Sequence, residues 1–224
     1  MREKTSEDRA SGLATLACKA ATCTSCRLSK GRTNVVFGMG VYNAELMIIG
    51  EGPGQREDEQ GLPFVGRSGK LLDQLLAEIG LRREENVYIA NVVKCRPPRN
   101  RDPRDDEIES CKSYLIGQLE LINPKVVLTL GNFSSKLLLR TTIGITKLRG
   151  HAYPWWNRRL VPTFHPAAAL RGSAQILDGM RYDFSLVRSV IEGTLEEDIP
   201  ESAVLEESSV TESQGLDAEQ MGLW

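Results

Sequence analysis

"ELMIIGEGPGQREDEQGLPFVGRSGKLLDQLLAEIG", residues 45 to 80, sets a short apolar run, a glycine-rich polar turn and a leucine pattern in direct succession. The run at 46 to 50 has the length of a buried strand. Leu71, Leu72, Leu75 and Leu76 fall on one helix face, and Gly80 is a natural stop. Further β-branched runs at 87 to 93, 125 to 130 and 160 to 164 are separated by helical patterns. One of these, "DPRDDEIESCKSYLIGQLELI", opens with an Asp and a Pro suited to a helix start and runs to about Ile122. "NFSSKLLLRTT" and "AQILDGMRYDFSLVRSVIEG" supply two more. Strands alternating with helices predict an α/β fold whose parallel sheet is covered on both faces. Ligands of such sheets bind beyond the carboxyl ends of the strands, so the residues that finish each strand come first: Glu51, Asn91, Gly131 and His165.

The 224 residues, 41% hydrophobic, suffice for one sizeable core. The apolar runs fall short of a bilayer span and "MREKTSEDRA" lacks the apolar core of a signal peptide, so the expectation is a cytoplasmic protein without membrane attachment. The formal charge of -2 hides an uneven distribution. Residues 15 to 194 carry 25 basic and 18 acidic groups, a body of +7, whereas residues 195 to 224 carry no basic and 9 acidic groups. The basic body suits a polyanion. Three parts are expected: a flexible N-terminus at 1–14, one domain at 15–194, and an acidic, disordered tail at 195–224. The tail reads as a solubilising segment, with a partner-binding segment or an electrostatic mimic of DNA, anchored by Met221, Leu223 and Trp224, as the alternative.

Five cysteines occur, at 18, 23, 26, 95 and 111. A disulfide does not suit a cytosolic chain of this size, and the pair in "CTSC" argues for metal. Cys23, Cys26, Cys95 and Cys111 make a set of four thiolates that either a tetrahedral zinc or a [4Fe-4S] cluster would accept, and spacing alone puts zinc ahead. Cys95 and Cys111 flank a polar loop, so metal at both ends would pin a segment that lacks a core of its own. Arg96, Arg99, Arg101 and Arg104 in that loop suit phosphate. Cys18 has no evident partner and reads as a helix residue. Gly61, Gly66 and Ser68 outline a phosphate loop, but Arg67 stands where its lysine should be and no strand precedes it directly, which excludes an NTPase of that type.

"GEGPGQREDEQGLPFVGRSGKLL" from Gly50, the asparagine of "NVVKC", "GITKLRG", "HPAAALRG" and the four cysteines, in this order, resemble the family-4 uracil-DNA glycosylases, the iron-sulfur branch of that superfamily. The resemblance covers about residues 15 to 192. It implies a three-layer α/β/α sandwich around a mostly parallel four-stranded sheet. It also implies excision of uracil from DNA and a [4Fe-4S] cluster, on Cys23, Cys26, Cys95 and Cys111, in place of zinc. Gly50, Glu51, Gly52, Glu57, Phe64, Asn91 and His165 then line the uracil site. Phe64 would stack on the flipped base, Asn91 would read N3–H and O4, and Glu57 would stand beside the C5 edge and exclude the methyl of thymine. His165 would donate to O2 as charge develops there, and Glu51 would steady the sugar cation and orient water. Gly52 stands where the usual family motif has alanine, which loosens the placement of Glu51.

For opening a duplex, Leu170 matches a wedge, with Arg149 and Arg171 as phosphate contacts. His151, beside "RG", reads as a surface or phosphate contact. No inserted basic loop with a histidine follows Asn91, as it does in relatives that cross-link to DNA, so ordinary turnover is expected. The expected molecule is a monomeric, monofunctional glycosylase that starts base excision repair on single- or double-stranded DNA, with a repair partner on the tail. The alternatives are a DNA-binding iron-sulfur redox sensor without catalysis and a zinc-stapled DNA-binding module.

Overall fold

The computed structural model describes residues 5–172 and 174–195. Along the chain run α1 (Ser6–Ala21), β1 (Met39–Gly40), β2 (Leu46–Gly50), α2 (Gln55–Gln60), α3 (Arg67–Glu78), β3 (Val87–Asn91), α4 (Asp105–Ile122), β4 (Val126–Leu130), α5 (Asn132–Leu139), α6 (Ile145–Leu148), β5 (Tyr153–Trp155), β6 (Arg158–Thr163), α7 (Pro166–Ala169) and α8 (Ala174–Glu192). The strand order is β1-β3-β2-β4-β6-β5. The inner four strands are parallel and are those read from the sequence. The expectation of four strands is corrected to six, because β1 and β5 add antiparallel edges. Two residues, and three interrupted by Pro154, carry no apolar period; these edges form only because β3 and β6 offer unpaired backbone.

The inner strands are buried on both faces, which explains their unbroken apolar runs. One face packs Met47, Ile49, Ala90 and Val127 against Leu115, Leu119 and Ile122 of α4. The other packs Leu46, Ile48, Ile89 and Leu128 against Leu72, Leu75 and Leu76 of α3 and Met180, Phe184 and Val187 of α8. Each such side chain contributes about 1.5–3 kcal/mol on burial. The result is the expected α/β/α sandwich.

Of the N-terminus expected to be flexible over 1–14, residues 1–4 lie outside the described residues, and the rest is corrected, because α1 begins at Ser6. Thr5 and Asp8 form a reciprocal capping box, Leu13 is buried, and Arg9 Nη1 donates to the Ile122 carbonyl at 2.9 Å. These ties to α4 were invisible in a segment of balanced charge. Of the tail expected at 195–224, Leu195 packs against the core on the α3–α8 side, and residues 196–224 lie outside the described residues, among which no helix is long and apolar enough to cross a membrane.

The strand order places the site. β2 lies between β3 and β4, so the chain departs to one side of β2 and later returns to the other, which opens a crevice at the carboxyl ends of β2 and β4. Gly50 pairs with Asn91 and Leu130 with Thr163, so the tips are nearly level. Replacing Phe184, fully buried under this crevice's sheet, by alanine is expected to cost about 3–5 kcal/mol in denaturant unfolding with the m-value retained.

Candidate active site

Glu51, Phe64, Asn91 and His165, taken from a strand tip, a turn and two further strand ends, line one cavity of about 420 Å³. Gly52, Glu57, Ser68, Asn100, Arg101 and Arg171 line it as well. Asn91 is buried, and its Oδ1 has no hydrogen-bond partner. An orphaned buried acceptor costs about 1–3 kcal/mol and is retained only where something else supplies its donor. A Cβ on Gly50 would collide with that oxygen and come within 2.9 Å of Phe64 Cζ, so only glycine leaves the space between reader and ring.

Behind Asn91 stands Lys94, fully buried. Its ammonium donates to the Asn91 carbonyl at 2.8 Å and to Gln118 Oε1 at 2.6 Å, and burial pushes its pKa down to about 8. Gln118 in turn donates to the Phe37 carbonyl and the Tyr88 hydroxyl. Neither residue was singled out in the sequence; a lysine inside the apolar "NVVKC" was the available signal.

Phe64 holds a left-handed backbone (φ 53°), a strained setting for an aromatic residue. Two groups secure it. Glu57 Oε1 accepts from the Val65 and Gly66 amides at 3.1 and 3.3 Å, and the buried Arg83 donates to the Pro63 and Phe64 carbonyls while paired with Asp73. Arg83 was missed, since a charged residue twenty positions away carries no local sign of its partner. Gly69 lets α3 approach the Phe64 carbonyl, where a Cβ would not fit. The Phe64 and His165 rings lie 5.9 Å apart, tilted by 31°.

His165 caps α7, and its Nδ1 accepts from the Ala167 amide at 3.1 Å. An accepting Nδ1 leaves the proton of the neutral ring on Nε2. Burial, aided by Arg171 and opposed by Glu57, holds the imidazole below its ordinary pKa and so keeps it neutral. Gly131, at φ 93°, has room for no more than hydrogen: a Cβ would stand 3.1 Å from that of His165. Glu51 is raised to about 7, first by burial and then by the charge and hydrogen bond of Asp102. Gly52 faces Val93, whose Cγ2 would lie 3.0 Å from an added Cβ, so the alanine of the usual motif would press on the segment that follows Asn91.

The four cysteines of the predicted set converge loosely. Cys95 and Cys111 are buried, and both lie within electrostatic reach of Cys26. Burial pushes the Cys111 thiol up to about 11, whereas at Cys23 burial is outweighed by hydrogen bonding with Ser25 and Tyr114 and by the charge of Arg32, which together lower it. Arg32 Nη1 donates to Cys95 Sγ at 3.3 Å and the Lys94 amide to Cys111 Sγ at 3.4 Å. Among the described residues, no three His, Cys, Asp or Glu side chains form the ligand group of a single ion. Cys18 is exposed on α1.

Leu170 is exposed, and so is Arg171, which lines the cavity. Arg149 differs from expectation. Its guanidinium donates to both carboxylate oxygens of the buried Asp183, at 3.0 and 2.8 Å, and to the Gly179 carbonyl at 2.6 Å, while Thr163 donates to Asp183 at 2.6 Å. These bonds lock the α6 segment to α8 and leave Arg149 a structural part; it also lies 5.5 Å from the centre of the Phe164 ring. His151 is half-buried against Tyr153.

An α/β/α sandwich with an orphaned amide acceptor, a neutral imidazole donor and a desolvated carboxylate around one pocket belongs to a recognised class. The family model of the uracil DNA glycosylase superfamily matches residues 37–184, and the chain belongs to that superfamily. It is 49% identical over 158 residues to a Type-4 uracil-DNA glycosylase of Sulfurisphaera tokodaii, covering 66% of this chain and 71% of that one. Type-4 enzymes of Thermotoga maritima (69% of this chain, 81% of the relative) and Archaeoglobus fulgidus (66% and 78%) are each 46% identical over 157 residues.

The Arg149–Asp183 pair yields a clear contrast. Arg149→Ala is expected to cost about 3–5 kcal/mol, because it strands a buried carboxylate. Burial already raises Asp183 against the lowering bonds from Arg149 and Thr163, so without Arg149 the folded state holds its proton to higher pH. The stability deficit therefore narrows as pH falls through that raised pKa and is widest at neutral pH. Arg171→Ala, at an exposed position, should stay within about 0.5 kcal/mol of the parent; thermal unfolding at two pH values measures both.

Proposed function

We propose that the chain is a monofunctional uracil-DNA glycosylase that hydrolyses the N-glycosidic bond of deoxyuridine and so initiates base excision repair. The carrying observation is the buried, unpartnered Asn91 Oδ1 in a cavity that also contains Phe64, His165 and Glu51. Uracil offers N3–H to that oxygen and O4 to the Asn91 amide, whereas cytosine presents an acceptor and a donor in reverse. The flipped base stacks on the Phe64 ring, which repays part of the few kcal/mol needed to unstack it. As the bond between N1 and C1′ lengthens, negative charge gathers on uracil N1 and O2, and the His165 Nε2–H donates to O2. A neutral donor costs no ionisation and acts in a desolvated site, where one such bond is worth about 3–4 kcal/mol. Glu51 as carboxylate steadies the cationic sugar and takes the proton of the attacking water. Glu57 keeps the turn rigid beside the C5 edge, which supports its role against thymine.

The donor set suits an iron-sulfur cluster held by Cys23, Cys26, Cys95 and Cys111. Cys95 and Cys111 are buried and both lie within electrostatic reach of Cys26, and four thiolates are the usual ligand set of such a cluster. When bound, it would staple the Cys95–Cys111 loop to the body. A catalytically silent redox sensor is not favoured, because the pocket residues are complete. The basic body supports DNA as the partner, single- or double-stranded, and we take the chain to act as a cytoplasmic monomer whose tail, 195–224, meets a repair partner.

On oligonucleotides carrying one uracil, the parent should produce abasic sites, and Asn91→Asp should lower the single-turnover rate by about 100-fold or more, since a carboxylate cannot donate to O4 and repels it. Undiminished excision by that variant would remove the recognition role. Cys111→Ser should cut bound iron and sulfide from about four each per chain and lower Tm, with the brown absorbance lost. A colourless, zinc-loaded parent would overturn the cluster assignment.

A further inference from the structure

The four cysteines come from distant parts of the chain: Cys23 and Cys26 lie in the turn after α1, Cys95 follows β3, and Cys111 stands on α4. One side chain bridges the first two of these segments. Arg32 is half-buried just beyond the turn. Its Nη1 donates to the Cys23 carbonyl at 2.7 Å and to Cys95 Sγ at 3.3 Å, and its Nη2 reaches the carbonyl of Ala21, the last residue of α1, at 3.5 Å. A guanidinium suits the place, because its rigid fork of donors is always charged and serves acceptors in several directions, and a cation is favoured at the carbonyl end of a helix.

The backbone that carries Arg32 is fixed from elsewhere. The Thr33 amide donates to both oxygens of the buried Asp58 of α2, at 2.9 and 3.1 Å, and the Val36 amide donates to the Lys94 carbonyl at 2.8 Å. Arg32 is therefore held at Cys95 by the fold. The nearby Arg27 is exposed and paired with Asp106, and Cys111 receives a neutral donor, the Lys94 amide. Among the described residues, Cys95 is the thiol to which a cationic side chain donates.

We propose that Arg32 is a positioning residue for the iron-sulfur site: it clasps the Cys23–Cys26 turn to Cys95, and its charged N–H on the Cys95 sulfur favours the more negative, reduced state. The proposal rests on the reading of the four cysteines as cluster ligands. Hydrogen bonds to ligand sulfurs and nearby charge are among the settings of such a potential, and a charge-assisted bond is stronger than a neutral one. Removing the cation should therefore lower the potential at which one electron is accepted. Removing the clasp should free the iron sooner.

The holoprotein tests this in four forms, the parent, Arg32→Gln, Arg32→Lys and Arg27→Gln, by anaerobic film voltammetry and by the rate at which a ferrous chelator removes iron. Arg32→Gln should lose about tenfold in the reduction equilibrium constant, a downward shift of about 59 mV for one electron, and should release iron about tenfold faster. Arg32→Lys keeps the charge without the fork, so it should recover most of the potential yet still release iron faster than the parent. Arg27→Gln removes a charge from the same segment without touching a ligand, and should match the parent in both readings. A potential or an iron release unchanged in Arg32→Gln overturns the proposal, as does an equal shift in Arg27→Gln or release at the parent rate in Arg32→Lys. Should Arg32→Gln fail to fold, the release rate of Arg32→Lys decides. A parent purified without iron would sink the cluster reading itself.

Discussion

Gly50 pairs with Asn91 at the ends of two parallel strands, and the pocket depends on that register. The pairing sets a residue without a side chain beside one whose amide must stand free, and the opening it leaves is closed on the far side by Phe64. A slip of one position would turn Asn91 toward a helix layer and put an apolar side chain at the tip. Burial of both sheet faces prevents the slip, since it would exchange the apolar contacts of the α3–α8 layer with those of the α1–α4 layer.

Around this register the charged groups fall into two kinds. Arg83, Lys94 and Arg149 are engaged by protein acceptors and serve as struts for the Phe64 turn, the Asn91 backbone and the α6–α8 junction. Glu51, Asn91 and His165 keep an atom for something else. That division matters because electrostatic contacts are strongest where water is excluded, and an atom already paired inside the fold has nothing left to offer a developing charge. A neutral His165 and a Glu51 raised to about 7 show desolvation shifting two groups in opposite directions with one consequence, each being left uncharged more readily than in water.

The polar loop between Cys95 and Cys111 joins two tasks. Its ends sit in the core as thiols, and its middle, braced by the Arg101–Glu107 pair, forms one wall of the pocket. A segment with three prolines and alternating charge has no hydrophobic reason to adopt one shape, so the buried thiols at its ends and the ion pair within it must supply the constraint.

The sequence by itself determined the four inner strands, the long helices between them and the identity of the tip residues. Each of these rests on local periodicity or on motifs whose spacing the chain carries openly: 46 to 50 was read as it stands, and α4 ends at Ile122 as expected. Tertiary structure alone decided the rest. The edge strands β1 and β5 are too short to have a pattern, the helical start at Ser6 depends on α4, and Arg149 has its partner 34 residues away on α8. Asp102 reads as one more charge in a polar loop, because the cavity it lines together with Glu51, 51 residues earlier, is written in no stretch of neighbouring residues. Local sequence records what a segment prefers; which charged atoms are paired and which are left free is settled only when distant segments pack together.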